Sequence, residues 1–128
     1  MSNHTGHGAW FADVRRIHDV AEVTPGLPVP FTGPEFAAFY FTGIKEPQDT
    51  RDFLDRAVLV FRDAFGPLEF KPRYTQTGST RRYHLEAQLF PSELTLTLTA
   101  KAEHVIGYEP PSLAQSEARK AEMAGVAA

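Results

Sequence analysis

The chain has 128 residues, 42% apolar and 12% aromatic content, and a formal charge of −3. That suffices for one domain with a real core and argues against wholesale disorder. It has no apolar run near the ~18 residues of a membrane span, no cysteine for disulfides, thiolate zinc sites or Cys nucleophiles, and too little net charge for a strong pull on nucleic acid by the chain as a whole.

The N-terminus, MSNHTGHGAW, lacks the basic and apolar regions of a signal peptide, so a cytoplasmic protein with no membrane partner is expected. Residues 1–8 are small and polar and read as a flexible N-terminus. They include His4 and His7, which without a further fixed ligand make a poor metal site. Over residues 9–22, Trp10, Val14, Ile17 and Ala21 fall on one helical face. His18 and Glu22 stand four apart there and read as a surface polar pair rather than metal ligands. The stretch TPGLPVPFTGP follows, with four prolines and two glycines that forbid helix and central strand alike. It is an extended connector whose alternating Leu27, Val29 and Phe31 suit an edge or a cover over the core. As a proline-motif ligand it lacks a basic flank beside Pro25 and Pro28.

Residues 35–42, EFAAFYFT, carry two signals. Thr32 and Glu35 have capping-box spacing, but the run is short, bounded by Pro34 and Gly43, and rich in aromatics. A strand buried on both faces is the preferred reading. Residues 47–65 make the clearest helix. Phe53, Ala57, Phe61, Ala64 and Phe65 share one side with Leu54 and Val58 next to them; Arg51, Asp52, Asp55, Arg56, Arg62 and Asp63 take the other. Asp52 and Arg56 have ion-pair spacing, Pro47 suits the first turn, and Gly66-Pro67 ends the helix.

Residues 68–75 alternate, with Leu68, Phe70 and Tyr74 inward and Glu69, Lys71 and Arg73 outward; Pro72 places the strand at an edge or bulge. QTGST is a hairpin loop around Gly78. From Arg82 to Ile106 the alternation is nearly unbroken. Tyr83, Leu85, Ala87 and Leu89, then Leu94, Leu96, Leu98, Ala100 and Ala102, face inward on either side of a turn at Phe90-Pro91-Ser92-Glu93. His104 shares that inward parity, as a satisfied structural residue rather than a base. Residues 112–128 hold helix formers with almost no apolar stripe, a frayed helical or disordered tail unless a partner covers Leu113 and Met123.

The fold expected is α+β: an antiparallel sheet of about four strands with the 47–65 helix on one face, an extra N-terminal helix and a loose C-terminal tail. Residues 9–111 form a single domain. Nucleotide, hydrolase and zinc-protease motifs are absent from the sequence, so no catalytic residue, metal or cofactor is assigned. The remaining signal is a basic group. Pairing Tyr74 with Tyr83 sets Arg73 near His84 and Lys71 near Glu86. Pairing Leu89 with Leu94 sets Arg82 opposite Lys101 and His84 opposite Thr99. Lys71, Arg73, Arg82, His84 and Lys101 then share one sheet face, with Arg81 at the loop. Residues 67–108 as a whole hold five basic and four acidic side chains. The function expected is a small non-catalytic protein-interaction or accessory module that binds a protein partner or itself. The alternative is nucleic-acid or phosphate binding through the 71–84 hairpin, and a small enzyme is the third reading. Nine arginines against four lysines point to a GC-rich bacterial or phage genome.

Overall fold

Pro47 in the first turn and Gly66 just past Phe65 bound a helix that the apolar spacing between them demands. The computed structural model, which describes residues 2–90 and 92–127 (the side chains of 2–7, 120 and 123–127 excepted), places that helix, α2, at Pro47–Phe65. Gly66 adopts φ 90 and its N–H caps Arg62 O, a backbone conformation that glycine enters at low cost. The buried arc of α2 is Thr50, Leu54, Ala57, Val58, Phe61 and Arg62, with Phe53 and Phe65 half-buried at its margins. Arg62 corrects the sequence reading, which put it on the solvated side. It is 4% exposed. Its Nε donates to Leu68 O at 2.9 Å, and Nη1 donates to Pro111 O at 2.6 Å and Ser116 Oγ at 2.7 Å. Burial lowers its pKa. A long side chain on the last turn can reach carbonyls that leave the helix end, and a guanidinium has five donors with which to satisfy them. Arg51 likewise donates to His104 O and Ile106 O, and Arg56 to Pro25 O. The arginines of this helix therefore fasten loops. Asp52 accepts from Gln48 Nε2 instead of pairing with Arg56.

The sheet has the order β1-β2-β5-β4-β3, with β1 Phe31–Thr32, β2 Phe36–Tyr40, β3 Lys71–Thr77, β4 Thr80–Gln88 and β5 Thr95–Lys101. Two expectations are corrected: there are five strands rather than about four, and the sheet is mixed. β2 runs parallel to β5, while the other pairs are antiparallel. The cause is the crossover. α2 carries the chain from β2 over the core to the far edge, the β3–β4–β5 meander returns, and its last strand arrives alongside β2 in the same direction. Both edges fit their prolines: Pro72 lies in β3, and β1 is two residues within the proline connector. Residues 36–40 form a strand as expected, but one face of it is only partly covered: Ala37, Ala38 and Phe39 are buried, Phe36 is half-buried and Tyr40 is exposed.

The registers follow the side-chain alternation. Tyr74 pairs with Tyr83, Arg73 with His84 and Lys71 with Glu86, around a two-residue turn with Gly78 at φ 61. Leu89 N–H meets Leu94 O at 2.9 Å, and Arg82 pairs with Lys101. On the inner face Phe39, Phe41, Leu85, Leu96 and Leu98 pack with Leu54, Val58 and Phe61 of α2. Tyr74 departs from its expected inward burial. It is 49% exposed, because the edge strand runs beyond the helix cover, and its ring lies 4.6 Å from the Arg81 guanidinium. β3 starts at Lys71, after the half-buried Leu68 and buried Phe70. β5 stops at Lys101, and His104 lies in a 3-10 turn, Ala102–His104, where its buried Nδ1 is 2.9 Å from Thr50 Oγ1.

Helix α1 spans Ser2–Val23 and thus takes in residues read as a flexible N-terminus; their polar sequence has no apolar stripe to signal a helix. Ile17 is fully buried, with Trp10, Val14 and Ala21 around it. Trp10 Nε1 donates to Pro34 O, and Ser92 Oγ donates to Asp13. The tail forms α3, Leu113–Ala127. Ser112 and Gln115 make a reciprocal capping box, Gln115 N–H to Ser112 Oγ at 3.1 Å and Ser112 N–H to Gln115 Oε1 at 2.7 Å. Among the described residues no helix is long and apolar enough to cross a membrane.

Among the described residues one buried side-chain polar atom has no partner, the Tyr83 hydroxyl. Burial pushes its pKa up to about 12. An unsatisfied buried hydroxyl costs about 1–3 kcal/mol, so Tyr83→Phe is expected to leave the melting temperature unchanged or raise it. A drop on thermal denaturation would reveal a partner for that oxygen.

Candidate binding surface: the open face of the sheet

With α2 and the core on one face of the sheet, strand alternation sends the other residues to the opposite face, where pairing arranges them in rows. Phe36, Thr95 and Gln88 form one row, and Phe31, Ala38, Thr97, Glu86 and Lys71 the next. Tyr40, Thr99, His84 and Arg73 form the third, and Lys101, Arg82 and Thr75 the last. The strands differ in side-chain length. β5 contributes short threonines between the aromatics of β2 and the long polar groups of β3 and β4. The result is a trough of ≈ 350 Å³ whose floor is Thr97, Thr99, His84 and Glu86 and whose walls include Phe36, Tyr40 and Arg73. Thr99 is 1% exposed and Tyr40 45%. Phe31 stacks on Phe36 at 5.6 Å between ring centroids and leaves its outer side to solvent.

The polar floor is internally bonded. His84 lies between two hydroxyls, with Nδ1 2.9 Å from Thr99 Oγ1 and Nε2 2.7 Å from Thr75 Oγ1. Arg73 grips Glu86 with two hydrogen bonds, Nε to Oε1 at 2.7 Å and Nη2 to Oε2 at 3.1 Å, and Thr97 donates to the same carboxylate. The Arg73 hydrogen bonds hold the Glu86 carboxyl below its usual range and raise the Arg73 pKa in return. Burial, reinforced by Arg73 and Arg82, pushes His84 below its usual value against the opposing pull of Glu86. His84 is therefore neutral at neutral pH, donating through one ring nitrogen and accepting through the other.

Both depressed values give stability the same sign. Each group binds more protons unfolded than folded, so its contribution is present above its ordinary pKa and is lost as pH falls through the folded value. For His84 the loss begins below the ordinary 6.5, and for Glu86 below 4.5. Melting temperature followed downward from neutral pH should fall in two stages, and His84→Gln should remove the first. An unchanged first stage in that variant would assign it to another group.

The structure brings Lys71, Arg73, Arg82, His84 and Lys101 onto one face, as the alternation required. It also changes their meaning, because the charge of Arg73 is matched by Glu86. Arg81 has the opposite parity, and its guanidinium covers the Tyr74 ring on the other side of the hairpin. Leu113 is 39% exposed on α3, and the side chain of Met123 lies outside the described residues, as do those of His4 and His7. Phe31, Phe36 and Tyr40 were missed as surface-site residues. The alternation of residues 36–40 separates Phe36, Ala38 and Tyr40 from Ala37 and Phe39, but nothing local tells which set meets the core. Among the described residues no group of three or more His, Asp or Glu could hold a metal.

Comparison with protein-family models, with curated proteins and with solved structures finds no match.

Proposed function

We propose that this chain is a non-catalytic protein-interaction module, an accessory protein whose contact surface is the open face of its sheet. The observation that carries the reading is the trough itself: aromatic walls that can bury apolar side chains, beside a floor of polar groups already fixed by their own hydrogen bonds. That combination of apolar anchors and ordered polar groups is what protein interfaces use. Two features weigh against catalysis in the trough. Both His84 ring nitrogens are engaged by hydroxyls, and Glu86 is held by Arg73, so neither stands ready as a base. The trough holds two carboxylates, Glu35 and Glu86, against one cation, Arg73, which is bonded to Glu86, and that balance disfavours a polyphosphate chain inside it. Binding of nucleic acid or phosphate remains the competing proposal for the basic end of the face.

The test is site-specific photo-cross-linking in the cell that expresses the protein. A cross-linking residue replaces Tyr40, and a control replaces the exposed Glu117 on α3. One discrete protein adduct at position 40 and none at 117 is expected; an adduct at twice the chain mass would identify a second copy as the partner. Equal labelling at both positions, or none at position 40, would remove the open face as the contact surface.

A further inference from the structure

We infer that the segment received by this face is acidic, its carboxylates seated where Arg82 and Lys101 stand opposite each other on β4 and β5; this rests on the reading of the open face as a protein-binding surface. Sorting charges by face changes the electrostatics of the hairpin. The outward positions of β3, β4 and β5 carry Lys71, Arg73, Arg82 and Lys101 against the single carboxylate of Glu86. The chain as a whole is at −3, so this face is basic on an otherwise acidic protein. Glu86 matches Arg73, which leaves Lys71, Arg82 and Lys101 without an ion-pair partner among the described residues. Arg82 and Lys101 are direct cross-strand neighbours. Like charges in that position repel, and an anion between them turns the repulsion into attraction. Beside Lys101, at the hairpin loop, lies a cavity of ≈ 350 Å³ lined by Ser79, Thr80, Arg81, Lys101 and Glu103, in which two cations and two hydroxyls stand against one carboxylate.

The trough begins one row away, at Tyr40, Thr99 and His84. A polypeptide can set carboxylates on the Arg82–Lys101 row and an apolar side chain against Tyr40. A nucleic-acid strand continuing along the trough would carry its phosphates toward Glu35, while the Arg73 charge there is already matched by Glu86. Charge complementarity therefore selects an acidic peptide over a phosphate polymer.

Amide chemical shifts of the labelled full-length chain test this, with four probes: a synthetic peptide rich in Asp and Glu with one aromatic residue, the same peptide with Gln and Asn in place of the acids, a single-stranded oligothymidylate, and inorganic phosphate. The acidic peptide is expected to shift amides around Arg82, Lys101 and Tyr40, with affinity that falls as salt rises. Arg82→Glu should weaken it by about tenfold or more. Arg82→Gln should weaken it less, and both variants should keep the melting temperature, since Arg82 points to solvent. Equal binding of the neutral peptide would overturn the inference. So would tighter binding of oligothymidylate with the same loss in Arg82→Glu, or a phosphate response matching the peptide's. If the inference fails while the Tyr40 cross-link persists, the face still binds protein but does not select acid.

Discussion

Phe61→Ala is expected to destabilise the domain by about 3–5 kcal/mol, and Leu98→Ala by about 2–5 kcal/mol. Both side chains are fully buried. Phe61 is the midpoint of the α2 arc, with its ring 5.3 Å from that of Phe39 and 6.4 Å from that of Phe65. Leu98 lies under it on the central strand, paired with Phe39 on one side and Leu85 on the other. Truncation leaves a cavity that two rigid neighbours, a 19-residue helix and a strand paired on both sides, cannot collapse to fill. Against a total stability of about 5–15 kcal/mol, either change removes a large share. Urea denaturation with the slope held common to wild type measures it. Losses under about 0.5 kcal/mol for both, the range of ordinary surface changes, would overturn the helix-on-sheet packing.

Arg62→Met should be nearly as damaging, at about 2–4 kcal/mol, because it orphans acceptors that cost about 1–3 kcal/mol each when buried. The guanidinium joins three segments: the exit of α2 at Leu68, the loop at Pro111, and the first turn of α3 at Ser116. Arg62→Lys keeps the charge but not the planar fork, so it should recover only part of the loss. A second readout separates this role from plain packing. Amide exchange over residues 113–119 should accelerate in Arg62→Met, since α3 loses its attachment. Deleting 117–128, beyond the attachment, should cost little, whereas deleting 112–128 removes Ser116 and with it an Arg62 partner. Unchanged stability together with unchanged protection of 113–119 would show that α3 docks by other means.

Much of this architecture is written in local pattern. The apolar spacing and the proline and glycine at its ends determine α2 to its bounds, since a helix reports its own period. The alternation from Arg82 onward determines both hairpin registers, because a slip of one residue would turn Leu85 and Leu98 to water. It likewise places the basic residues on one face. What lies beyond pattern is of another kind. The parallel pairing of β2 with β5 depends on where a crossover lands, and residues 36–40 carry no mark of their partner. The burial of Arg62 depends on carbonyls up to 50 positions away in sequence. The matching of Arg73 by Glu86 is a diagonal contact that exists only once β3 and β4 are aligned. The trough needs four strands of unequal side-chain length set side by side. Periodicity tells a residue which side it faces. Which groups it meets there is decided by chain segments distant in sequence, and that selection, made by the tertiary fold, turned a row of cations into a basic end beside an aromatic-walled trough.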